Sequence, residues 1–159
     1  MMLRLDRPKL DKKVALVLTE EDLHPESWVV DAEVVAIAVL PSAQRADDDS
    51  PAAEFSRGAL DDAMDRAQAY FGVPVEYREA ATLAAWANTQ NIRQLVTAYS
   101  PVGTVAERLN SAQTYLKAEG LELVRATRDW DRKLWPLATA GFFKLKTKLP
   151  DIAQEYAQG

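Results

Sequence analysis

Short apolar runs alternate along the chain with longer stretches in which apolar residues recur every three or four positions. Val14-Ala-Leu-Val-Leu18 ends in Thr19-Glu-Glu-Asp22, and Val34-Val-Ala-Ile-Ala-Val-Leu40 ends in Pro41-Ser42. Unbroken apolar runs of this length predict strands covered on both faces, as in a parallel sheet. A polar loop rich in Asp occupies 43–55. A helix capped near Ser56 then places Leu60, Ala63, Met64, Ala67, Tyr70 and Phe71 along one side, and Gly72 stops it.

The alternation continues to the end of the chain. Val73-Pro-Val-Glu-Tyr77 reads as a third strand, which Pro74 assigns to an edge or a strand start. An alanine-rich helix over 81–90, with Leu83, Trp86 and Ala87 on one face, gives way to a fourth strand over 92–98. The turn Tyr99-Ser-Pro-Val-Gly-Thr104 leads into a helix whose Val105, Leu109, Ala112 and Leu116 share a face, and Gly120 ends it. Leu121-Glu-Leu-Val124 is a fifth strand. From Thr127 the pattern turns aromatic, basic and helical in pieces, with Gly141 and Pro150 as punctuation.

Strands that alternate with helices through short loops form βαβ units with right-handed crossovers. The chain therefore predicts one Rossmann-like α/β domain over 1–159: about five strands in a mainly parallel sheet, helices on both faces, a tail over 1–12 and a C-terminal aromatic and basic helical extension over 127–159. Only fifteen residues, 19–33, join the first two strands. That is the minimum for a parallel crossover, so the first unit is expected to be irregular.

Composition narrows the chemistry. At 159 residues and 48% hydrophobic content the chain closes one core. The absence of cysteine excludes disulfides, thiolate zinc sites and a cysteine nucleophile, and fits a reducing cytoplasm. No apolar run approaches the roughly 20 residues of a membrane span, and Met1 to Leu10 lacks a signal-peptide pattern, so a cytoplasmic protein without a membrane partner is expected. The net charge of −5 argues against a surface built throughout for nucleic acid. It conceals an asymmetry: seven cations face two acids between Arg125 and Lys148, a local charge of +5, which leaves −10 on the remainder. Trp130, Arg132, Lys133, Lys144 and Lys146 are the candidates for docking a partner or single-stranded nucleic acid. The plainer alternative is a lid whose aromatics pack on the core while the cations stay in water.

In a parallel sheet, ligands collect at the carboxyl ends of the strands. Thr19, Ser42, Tyr99, Ser100, Gly103 and Thr104 are the candidate ligand-binding residues on that ground. The 99–104 turn stands out, since Gly103 admits close backbone approach and the following helix offers free N–H groups. It matches no phosphate-loop pattern, and it also reads as a plain strand-to-helix turn with Ser100 or Thr104 as the cap. His24 is the single histidine and no G-x-S-x-G elbow exists, so no catalytic triad, catalytic residue or metal-ligand set is assigned. The acidic runs Glu20-Glu-Asp22 and Asp47-Asp-Asp49 suit Mg²⁺ beside a phosphate, or a solvated loop.

From about Gly58 to Pro150 the order of parts resembles the amino-terminal α/β domain of the photolyase and cryptochrome family. The matching features are the helix from Leu60 to Phe71 leading through Gly72 into Val73-Pro-Val-Glu-Tyr77, the strand Leu95-Val-Thr-Ala98, and the turn Tyr99-Ser-Pro-Val-Gly with Glu107-Arg108 on its helix. The return strand Glu119-Gly-Leu-Glu-Leu123 and the segment from Trp135-Pro136 to Gly141-Phe-Phe-Lys144 complete them. The resemblance implies a pocket for a flavin or pterin-type antenna chromophore and a separate helical flavin-binding partner, for which 159 residues leave no room. Self-sufficient DNA repair is not expected, nor is the chain expected to be an enzyme alone. Two functions follow. One is a stand-alone photolyase-like module for a nucleotide-like or flavin-like molecule, beside a helical partner or as a homo-oligomer. The other is a regulatory domain that docks a partner through the basic aromatic segment.

Overall fold

The computed structural model describes residues 9–28, 30–42, 49–138 and 141–157. Among them, five strands form one sheet: β1 (Lys13–Leu18), β2 (Glu33–Val39), β3 (Val75–Tyr77), β4 (Gln94–Ala98) and β5 (Glu122–Ala126), in the order β3-β2-β1-β4-β5 with every pair parallel. The α/β fold read from the apolar runs is the observed one. β1, at the centre, is buried from Val14 to Leu18, which is why its sequence has no polar alternation.

Three helices cover the sheet: α1 (Pro51–Phe71), α2 (Leu83–Thr89) and α3 (Thr104–Ala118). Side chains along β1 alternate between two cores. Ala15 and Val17 join Leu83, Trp86, Leu109 and Leu116 on the α2 and α3 face. Val14, Leu16 and Leu18 join Leu60 and Ala67 on the α1 face. Connections that run toward β3 lie on the α1 face and those that run toward β5 on the other, as uniform right-handed crossovers require. Among the described residues, the short link from β1 to β2 holds no α-helix, only a 3-10 turn at Pro25–Ser27. It closes by packing Leu23, Trp28 and Val30 against the α1-side core. The register of β2 on β1 slips between Val14 and Ala15, so Val34 turns to the α1 side while Val35 and Ala36 both face the other.

Several boundaries differ from the sequence reading. α1 begins five residues before Ser56, because Ser50 is the cap: its Oγ accepts the Ala53 N–H at 3.3 Å, and Pro51 occupies the first helical position. Gly72 stops α1 in the left-handed conformation. Tyr70, placed on the buried side by periodicity, is exposed. β3 keeps only Val75–Tyr77 and pairs with β2 alone, so Pro74 precedes an edge strand. Of the polar loop over 43–55, residues 43–48, including Asp47 and Asp48, lie outside the described residues.

Pro8–Ala126 is one compact unit, and the residues from Thr127 onward belong to a second. Within the second, α4 (Asp129–Ala138) and α5 (Phe142–Ala157) pack on each other, joined by an ion pair from Lys133 to Glu155. Gly141 separates them with φ +88°, whereas Pro150 lies inside α5 and does not end it. No helix among the described residues is long and apolar enough to cross a membrane.

Candidate functional site

The strand order reverses between β1 and β4, the position where an open α/β sheet usually presents its crevice. Here side chains bridge that position. Glu20, two residues past β1, forms an ion pair with Arg108 of α3, and Arg108 also donates to the Leu40 carbonyl at 3.0 Å. The neighbouring Glu21 accepts the Ser100 hydroxyl at 2.5 Å. Two bonds thus join the end of β1 to the chain after β4, and Arg108 adds the end of β2.

The predicted ligand residues are divided by this arrangement. Thr19 is buried, and its carbonyl accepts the Asp22 N–H at 3.1 Å in a tight turn. Ser100 is buried and engaged by Glu21. Tyr99 is tied by its N–H to the Ala126 carbonyl at 2.8 Å, which leaves its ring partly exposed. Neither Ser100 nor Thr104 caps α3: the cap is Gly103, at φ +131°, a conformation that a side chain would strain, and Thr104 is the first helical residue.

Ser42, one of the six, lines an open cleft. The cleft has a volume of about 350 Å³, lies past the carboxyl ends of β1, β2 and β3, and is bounded by Glu20, Pro41, Ser42, Leu60 and Tyr77, with Ser56, Arg57 and Asp61 from α1. The N-terminal half of α1 lines it. Tyr77 donates its hydroxyl to Asp61 Oδ1 at 2.8 Å. Burial, reinforced by the bond to that carboxylate and by its charge, pushes the Tyr77 phenol up to about 12, so it stays neutral and a donor. Leu60, Pro41 and Tyr77 supply apolar lining, and Arg57 adds a cationic residue to it. Local sequence offered no signal for these residues, since Asp61 and Tyr77 meet only through the β2–β3 crossover.

Away from the cleft, His24 belongs to the first crossover, where its carbonyl accepts the Ser27 hydroxyl at 2.8 Å. Among the described residues no group of three His, Asp or Glu side chains is placed to hold a metal ion. In the second unit, Arg132 pairs with Asp129 one turn away and Lys133 pairs with Glu155, so two of the proposed docking cations are already engaged within the unit. Trp130 is half-buried on α4 and Lys146 is exposed on α5; the Lys144 side chain lies outside what the structure describes. No protein-family model matches the chain, and no curated protein is significantly similar to it.

Proposed function

We propose that the chain is a ligand-binding α/β module, photolyase-like in its order of parts, that takes a nucleotide-like or flavin-like small molecule and is not self-sufficient for DNA repair. The carrying observation is the cleft at the carboxyl ends of β1, β2 and β3. Its volume falls in the range of small-molecule sites, and such sites combine mostly apolar walls with a few placed polar groups. Leu60, Pro41 and Tyr77 suit the face of a planar ring, Ser42 and Ser56 suit its polar edge, and Arg57 suits an anionic substituent such as a phosphate. The helical flavin-binding partner that the resemblance implies belongs to the same reading, with a second copy of the chain as its alternative.

The test is an absorbance spectrum of freshly purified protein, with mass spectrometry of whatever denaturation releases, followed by calorimetric titration of the emptied protein with FMN and with AMP. A released chromophore, or saturable binding that Ser42→Trp abolishes, supports the reading. A clean protein that binds neither compound overturns it.

A further inference from the structure

α5 opens with Phe142-Phe-Lys-Leu-Lys-Thr-Lys148, and Phe142, Phe143, Lys146 and Lys148 face water. Phe142 is 66% exposed and Phe143 83% exposed, while Lys146 and Lys148 are exposed and form no ion pair among the described residues. Exposed phenylalanines gain nothing from water. Phe142, Leu145, Leu149 and Ile152 recur at spacings of three and four, so the exposed Phe142 prolongs the apolar stripe whose later members are half-buried.

We infer that the start of α5 is an interfacial anchor that docks on an anionic lipid surface, with Phe142 and Phe143 entering the headgroup boundary and the lysines facing its charge. Exposed aromatics with Lys146 and Lys148 on the same helix suit this use. Three observations favour lipid over nucleic acid. The two rings are 6.0 Å apart and inclined at 70°, edge against face, so they offer no pair of parallel faces for successive bases, whereas burial in acyl chains is indifferent to ring orientation. The cations of α5 are all lysines, without the arginine forks that suit bidentate phosphate recognition, and lysine stems extend along apolar surface while the ammonium stays in water. The charge of −10 outside 125–148 disfavours approach to an anionic surface by the rest of the chain, so attachment is confined to this segment. Sixteen helical residues span about 24 Å, short of a roughly 30 Å hydrocarbon core, so α5 lies along the surface and does not cross it.

Co-sedimentation of the full chain with phosphatidylcholine vesicles, with and without phosphatidylserine, tests the proposal. The expected result is binding to the serine-containing vesicles only, weakened by salt. Each of Lys146→Ala and Lys148→Ala should weaken it about fivefold, since a lysine near an anionic surface contributes about 1 kcal/mol. Phe142→Ser with Phe143→Ser should abolish it while the circular dichroism spectrum and melting temperature stay unchanged. Three results would overturn the proposal: no sedimentation with anionic vesicles at low salt, sedimentation that the double phenylalanine variant retains, or binding to single-stranded DNA that competes with vesicles and is lost in that same variant.

Discussion

Glu20 and Arg108 stand 88 residues apart in sequence and form an ion pair across the point where the strand order reverses. Their side chains are only 15% and 20% exposed, and Arg108 also satisfies the Leu40 carbonyl. Removing the cation alone leaves a largely buried carboxylate and a carbonyl without their donor. Arg108→Met should therefore destabilise the fold by about 3 kcal/mol. The double variant with Glu20→Gln should cost less than the two single changes added together. Urea unfolding of all four proteins measures that coupling, and strict additivity would show that the pair does not staple the strand ends.

Gln94 provides a second long-range tie, at the opposite end of the sheet. It is 4% exposed, accepts the Asp11 N–H at 2.8 Å, and donates to the Lys9 carbonyl at 3.2 Å and to Glu122 at 2.9 Å. Gln94→Leu keeps the bulk but leaves these partners unsatisfied, at a cost of about 2 kcal/mol. Amide hydrogen exchange at Asp11 should accelerate in the variant by more than at Val17 in the centre of β1.

The start of α1 is a sharper matter. Ser50→Ala should lower stability by about 1 kcal/mol through loss of the bond to the Ala53 N–H. Ser56→Ala, inside the helix, leaves that cap intact and should cost less. Thermal melts of the two variants decide between the observed helix start and the one that Ser56 suggested.

Tyr77 gives a spectroscopic handle on the cleft. With its phenol pushed up to about 12 by burial first and Asp61 second, it should ionise above the ordinary tyrosine value of about 10 in an absorbance titration. Asp61→Ala removes the hydrogen bond and the nearby charge, so ionisation should move down while staying above the ordinary value, since the burial persists. The sign for stability follows from linkage. The unfolded chain releases this proton first, so the contribution of Tyr77 is full below about pH 10 and is lost as the pH rises toward 12. A Tyr77 titration that Asp61→Ala leaves unmoved would show that the bond at 2.8 Å does not persist in solution.

Much of the α/β unit is legible in particular residues. The run from Val14 to Leu18 is apolar throughout because both faces of β1 are covered, and Leu109, Ala112 and Leu116 repeat at helical spacing because α3 has one buried side. Gly72 marks the end of α1 through a conformation that most other residues resist. The start of α1 differs from the one that Ser56 suggests because the Ser50 hydroxyl takes the Ala53 N–H and Pro51 fits the first helical position.

The sequence by itself determined which segments are strands, which are helices and that the sheet is parallel, because burial on two faces or on one writes a period of its own into neighbouring residues. Tertiary structure alone decided which strand ends stay open. Glu21 meets Ser100 across 79 residues and Glu20 meets Arg108 across 88, which ties the end of β1 to the chain after β4, while Ser42, Leu60, Asp61 and Tyr77 converge on a cleft beside it. No local pattern encodes these meetings, since they depend on the lateral order of the strands, and that order is set when the crossovers pack on the two faces of the sheet.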